Sequence, residues 1–303
     1  LQTVLGQCTT PVQHVEWREM PITERQQYIS AVQCLQRTPS RIAPNSRNTL
    51  YQDFVEVHRS IVPTAHGLPI FLPWHRFMLA AFDHALRTNC QYRGRMPYWD
   101  WSVDSQSPER SEIWSNTNGF GGNGNPQTGC ISGPFSNYRS VQGQCVRRQW
   151  GNGQGTLIGA QYPPAQIEQI LRSTSFTQFR NSLETLPHNS IHNAIGGDMF
   201  NTAISVNDPV FFLHHRNVDR LWYVWQRRNP SIANSYDGTP DAPINMFRVV
   251  QDTTVSQIMD TTGGGPGMCY TYSNSIRPNQ INASLQKRDN STSDATHSSS
   301  PSA

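Results

Sequence analysis

The chain has 303 residues, enough for one substantial core but not for two domains of equal size. Only 15% of the residues are charged, and the formal net charge is +3 with the arginines dispersed, which argues against a nucleic-acid partner. No apolar stretch reaches the roughly 18 residues of a membrane span, so no membrane association is expected.

Residues 1–22 read as an extended arm. Thr23, with Gln26 three residues on, has the spacing of a capping box and predicts a helix over about 24–36. A second helix is expected over about 49–60, with His58 near its end. Three prolines and a glycine between Ile61 and Pro73 place His66 on a loop. A third helix starts at Pro73 or Trp74 and runs to about Thr88, with Phe77, Met78, Ala81, Phe82 and Ala85 as its apolar face. Residues 102–160 are rich in Gly, Asn, Ser and Gln and lack a helical period. Such a long irregular excursion is functional, disordered or stapled.

Further helices are predicted over about 164–172 and, opened by Ser175, over 176–185. His188 and His192 follow on a short helix ended by Gly196-Gly197. The last long helix covers about 208–228 and turns Val210, Leu213, Val218, Leu221 and Trp225 inward. A weakly strand-like stretch at 269–272 closes the core. The segment 277–303 is polar and reads as a disordered tail, in which Lys287-Arg288 has the form of a dibasic processing site.

Six cysteines (Cys8, Cys34, Cys90, Cys130, Cys145, Cys269) with no CxxC pair favour disulfides in an oxidising compartment over a thiolate metal site. Many pairings are open, and Cys130 with Cys145 is the local one. Sequons at Asn282 and Asn290 agree with secretion, which is the expected localisation.

Six histidines fall into two triplets: His58, His66 and His75, then His188, His192 and His215. The four-residue step from His188 to His192 puts both imidazoles on one helix face, close enough to share a metal. Two three-imidazole sites without cysteine or carboxylate suit copper among the imidazole-binding metals. The stretches AHGLPIFLPWHRF and HNAIGG…NDPVFFLHHRNVDRLW resemble the two copper signatures of the type-3 copper proteins, which comprise tyrosinases, catechol oxidases and haemocyanin units. The resemblance covers roughly residues 10–275, and the layout is most like a short secreted fungal polyphenol oxidase.

That resemblance implies a mainly α fold over residues 1–276. It would be a four-helix bundle around a dinuclear copper centre, with long irregular loops and little β. It implies two copper ions, O2 as co-substrate and small phenols as partners, with o-diphenols oxidised to o-quinones. Ortho-hydroxylation of monophenols or aminophenols is the added activity; the alternative is a reversible oxygen carrier of haemocyanin type, which normally keeps a covering domain over the centre.

By motif, His58, His66 and His75 match the ligands of the first copper, and His188, His192 and His215 those of the second. Of the adjacent His214 and His215, the second has the interval from His192 seen in compact members. Asp219 matches a carboxylate that supports the ligands, and Phe211 lies on the His215 face of the helix. Glu184 matches a glutamate that holds a water near the coppers, and Asn189 an asparagine that helps it act on that water. Thr202 matches the residue gating the first copper, with Phe200, Asn201 and Asn193 on the same rim. One departure stands out: many relatives carry Cys-x-His at the second ligand and form a thioether, whereas Thr64-Ala65-His66 cannot. His66 is then expected to be held by loop packing.

Overall fold

The computed structural model describes residues 8–273. The predicted tail 277–303, both sequons and Lys287-Arg288 lie outside the described residues. The N-terminal arm is a sheet strand over part of its length, β1, Val12–Glu16. Pro21 holds extended backbone (ψ 148°) and helix α1, Ile22–Leu35, starts directly after it. Thr23 therefore lies inside the first turn and does not cap it; no side chain caps α1, and Gln26 bonds Asn118 instead. The reciprocal box occurs one helix later, where Thr49 and Gln52 open α2, Leu50–Ala65.

Helix α2 overruns its expected end and passes through Pro63. Proline removes one backbone donor, but Ile61 and Ala65, four apart and both buried, hold the last turn on the core. His66 is consequently the C-cap of α2 and not a loop residue. Helix α3, Phe71–Cys90, also starts earlier than expected. Pro73 fits there because the third helical position has no intrahelical acceptor for an N–H.

After β2, Pro97–Tyr98, the excursion over 102–160 is ordered. The Cys130–Cys145 disulfide staples it, and Trp114, Phe120, Phe135 and Trp150 are buried along it. Helices α4, Pro164–Leu171, and α5, Phe176–Leu183, follow, and the Ser175 hydroxyl accepts the Gln178 N–H at 3.2 Å. A π-helical turn, Glu184–His188, containing Pro187, joins α5 to α6, Asn189–Ile195. Gly196, at φ +65°, ends α6.

Every side chain of α7, Val210–Arg228, is buried from Val210 to Trp222. β3, Pro243–Ile244, pairs antiparallel with β4, Thr253–Thr254, and α8, Val255–Ile258, leads towards β5, Tyr270–Tyr272. β5 lies parallel to β1, which is parallel to β2 on its other side. Two further disulfides fasten this frame: Cys8–Cys269 joins the segment leading into β1 to the residue before β5, and Cys34–Cys90 joins the ends of α1 and α3. Among the described residues no helix is long and apolar enough to cross a membrane.

A helix buried on all sides must find partners for its polar groups. α7 does so against α3, where Phe82 stacks on Phe212 at 3.5 Å. Arg76, next after His75, pairs with Asp219 on α7 at 2.5 Å. In return Arg216, next after His215, pairs with Asp83 on α3. The two helices are thus locked by reciprocal ion pairs, both C-terminal to the histidines they carry.

Candidate dinuclear metal centre

Four helices bring two histidine clusters together. His58 comes from α2, His66 from its C-cap and His75 from the second turn of α3; one ring nitrogen of each lies within 4.8 Å of the others. His188 ends the π turn, His192 is on α6, and His214 and His215 are on α7; this group meets the same 4.8 Å limit. The clusters face one another, with the His75 and His215 rings stacked at 4.3 Å and 9°.

Backbone carbonyls set the orientation of three rings. The Nδ1–H groups of His66, His75 and His192 donate to Val62 O at 3.3 Å, Phe71 O at 2.8 Å and Met199 O at 2.8 Å. A carbonyl only accepts, so the proton sits on Nδ1 and the Nε2 lone pair is left free. Nε2 of His75 lies 3.4 Å from that of His58, and Nε2 of His192 lies 3.3 Å from that of His215. His188 Nδ1 is held by Asn189 Oδ1 at 3.0 Å, while its buried Nε2 has no partner.

Burial pushes every one of these histidines below its usual pKa, His192 to about 4. Neutral imidazoles with unshared lone pairs, and neither thiolate nor carboxylate among them, are a donor set that fits a pair of copper ions.

His214 joins the second cluster with both ring nitrogens buried and unpartnered, and stacks on His188 at 5.2 Å. It is His215, however, whose Nε2 meets that of His192 and whose ring faces His75. Phe211 packs at 4.1 Å from the His215 ring and 5.1 Å from His58. Asp219 makes no bond to His215: its oxygens go to Arg76, Tyr270 and Tyr272, so it supports the centre through the helices and the closing strand.

Glu184 is 4% exposed. Its Oε1 accepts the Gly67 N–H at 2.6 Å, and its Oε2 faces Arg180 Nη1 at 3.5 Å. Burial raises the carboxyl's pKa, against the opposing pull of that N–H and the guanidinium. Asn193, Phe200, Asn201 and Thr202 are all exposed, Phe200 at 61%. The Thr202 main chain draws the His58 pKa up against burial, although His58 Nδ1 makes no hydrogen bond of sound geometry.

The expectations from sequence weighed His214 and preferred His215, and gave no role to Arg180 or to the arginines after His75 and His215. Signals for them existed: Arg180 and Glu184 are an oppositely charged pair four apart, and His-Arg recurs in WHRF and HHRN.

The common central domain of tyrosinase matches residues 48–228, the stretch that holds all seven clustered histidines. The chain belongs to the tyrosinase family. It is 35% identical to tyrosinase ustQ of Aspergillus flavus over 89% of this chain and 82% of that protein. It is 31% identical to a Streptomyces antibioticus tyrosinase over 79% of this chain and 93% of that one. Among solved structures, a polyphenol oxidase of Thermothelomyces thermophila superposes with a TM-score of 0.75 at 26% identity, covering 87% of this chain and 89% of that chain. A functional unit of octopus haemocyanin shares the fold at a TM-score of 0.63 and 20% identity, covering 91% and 73%. As a tyrosinase-family member the protein is a type-3 copper oxidoreductase, binding two coppers through histidines with O2 as the usual co-substrate.

Proposed function

We propose that this tyrosinase-family protein oxidises o-diphenols to o-quinones with O2, and that it also hydroxylates monophenols or aminophenols at the ortho position. His58, His66 and His75 hold one copper, and His188, His192 and His215 hold the other. The observation that carries this reading is the pair of neutral imidazole clusters whose His75 and His215 rings stack at 4.3 Å. Bound there, the two coppers supply the redox step that takes two electrons from each of two diphenols and passes four to O2, giving water.

The remaining work falls to the chain. Carbonyl bonds keep His66, His75 and His192 in one tautomer. Phe71, at 4.8 Å from both His75 and His188, and Phe211 exclude water from the space between the clusters. Hydroxylation needs a phenol proton removed. Each Glu184 oxygen keeps a second acceptor position, and a buried carboxylate of raised basicity takes that proton through a water. Asn189 commits Oδ1 to His188 and retains its N–H groups for the same water. Thr202, Phe200, Asn201 and Asn193 form the mouth through which the ring enters.

We place the protein in an oxidising compartment outside the cytosol, a reading that the three disulfides support. The deciding test is oxygen uptake by copper-loaded protein on a catechol and on its matching monophenol. Uptake on both without a catechol primer is expected. Uptake on catechol alone would remove the hydroxylase half of the proposal. Reversible O2 binding with no uptake on either would replace it with an oxygen carrier.

A further inference from the structure

The turn after His66 has an unusual hydrogen bond. Gly67 follows the C-cap of α2 in the left-handed region, φ +71°. At such a position the amide ordinarily returns to a carbonyl of its own helix. Here it donates to Glu184 Oε1 at 2.6 Å, a partner 117 residues away. Glu184 belongs to the π turn that ends at His188, so this one bond ties the peptide after a first-cluster histidine to the turn bearing a second-cluster histidine.

The His66 ring rests against Phe71 at 5.7 Å, but little hydrogen bonding fixes it. Its ring is the least buried of the six, and its Nδ1 bond to Val62 O is long at 3.3 Å. Thr64 offers no sulfur, and its hydroxyl is spent on Ile61 O at 3.2 Å. The carboxylate that holds the turn is itself held. Arg180, 4% exposed, faces Glu184 Oε2 at 3.5 Å on one side and Asp237 Oδ2 at 3.8 Å on the other. Asp237 is anchored in turn by the Thr177 hydroxyl at 2.7 Å.

We propose that Arg180 is a positioning residue: with Glu184 it clamps the Gly67 amide and so registers His66 against the His188 turn, serving where a thioether would otherwise fix that ligand. This role goes beyond Glu184 as proton acceptor, and it does not depend on which phenols are oxidised. The clamp contains no metal ligand atom and is to be measured in copper-free protein.

The experiment is hydrogen exchange at the Gly67 amide in copper-free wild-type, Arg180→Met, Arg180→Lys and Glu184→Gln proteins, followed by a graded chelator challenge of the copper-loaded forms. Arg180→Met and Glu184→Gln should speed Gly67 exchange about ten-fold, the equivalent of one charge-assisted hydrogen bond, while amides of α7 keep their protection. One of the two coppers should then leave ahead of the other, and Arg180→Lys should recover part of both effects. Wild-type exchange at Gly67 in Arg180→Met and Glu184→Gln would overturn the clamp, as would simultaneous loss of both coppers. If Arg180→Met unfolds, Glu184→Gln keeps the shape, loses the charge and decides by the same comparison. Because exchange is read without copper or substrate, its outcome is separate from any failure of the hydroxylase proposal.

Discussion

Replacing Asp219 by asparagine should cost the protein about 4 kcal/mol, the middle of the range for stranding one half of a buried ion pair. The carboxylate is 3% exposed and receives Arg76 Nε at 2.5 Å, the Tyr270 hydroxyl at 2.7 Å and the Tyr272 hydroxyl at 2.5 Å. A carboxamide keeps the shape but has one acceptor oxygen, so it can serve the tyrosines or the guanidinium but not all three. Arg76 would keep Met259 O at 2.7 Å and its stack on Trp222 at 3.6 Å, and would lose its counter-charge in a fully buried position. Denaturant or thermal melts of Asp219→Asn, Arg76→Met and the double variant measure this directly, and a fall in Tm on the order of 10 °C is expected for the single change. The double variant should be more stable than Asp219→Asn by about 1–3 kcal/mol, because an apolar side chain removes the stranded charge. The deficit should persist in copper-free protein, since it lies in the helix frame. A loss below about 1 kcal/mol, or a double variant no more stable than Asp219→Asn, would refute the reasoning.

Asp198 supplies a pH test: burial, with Asp208 nearby, raises its carboxyl from 3.8 to about 6. The folded state then binds the proton more tightly than the unfolded one, so stability falls as pH rises from about 4 to 6, by at most about 3 kcal/mol. Asp198→Asn should flatten that slope in copper-free melts, and an unchanged slope would contradict it. Removing copper should cost about 4 kcal/mol per site when free copper stands a thousand-fold above its Kd, visible as a Tm drop of well over 10 °C. Replacing Cys130 and Cys145 by alanine opens a loop with a sequence separation of 15 and should cost about 3 kcal/mol in denaturant melts. Thr202→Phe adds a ring at an exposed rim and should raise KM several-fold for bulky phenols while leaving catechol little changed; an unaltered substrate preference would remove Thr202 from the gate.

Periodicity and spacing located the helices well, because the apolar faces of α3 and α7 and the Ser175 cap are written in neighbouring residues. Where sequence misled, a tertiary contact outweighed a local signal. Thr23 and Gln26 have capping spacing, yet Pro21 had already set the entry to α1. Pro63 should have ended α2, yet burial of Ile61 and Ala65 carried the helix on to His66. At the centre, the two histidine clusters stand out in the sequence because most of their ligands fall in short stretches, His58 to His75 and His188 to His192, with the last in the apolar motif of α7. The Glu184–Gly67 bond does not, since it links residues 117 apart, and no pattern along a chain reports which distant amide a carboxylate will meet. The wide turn at Glu184–His188 is hidden for a related reason: its one extra residue leaves the helical composition unchanged.

The reciprocal pairs Arg76–Asp219 and Arg216–Asp83 divide the centre mechanically. His75 and His215 ride on a stiff girder, whereas His66 and His188 stand at a helix end and a π turn, where backbone yields more readily. With metals bound, the histidines on that softer side would be the ones to yield if the two sites had to move apart. It is also the place to alter the enzyme, because substitutions there can reshape one flank of the centre while the braced flank keeps its dimensions.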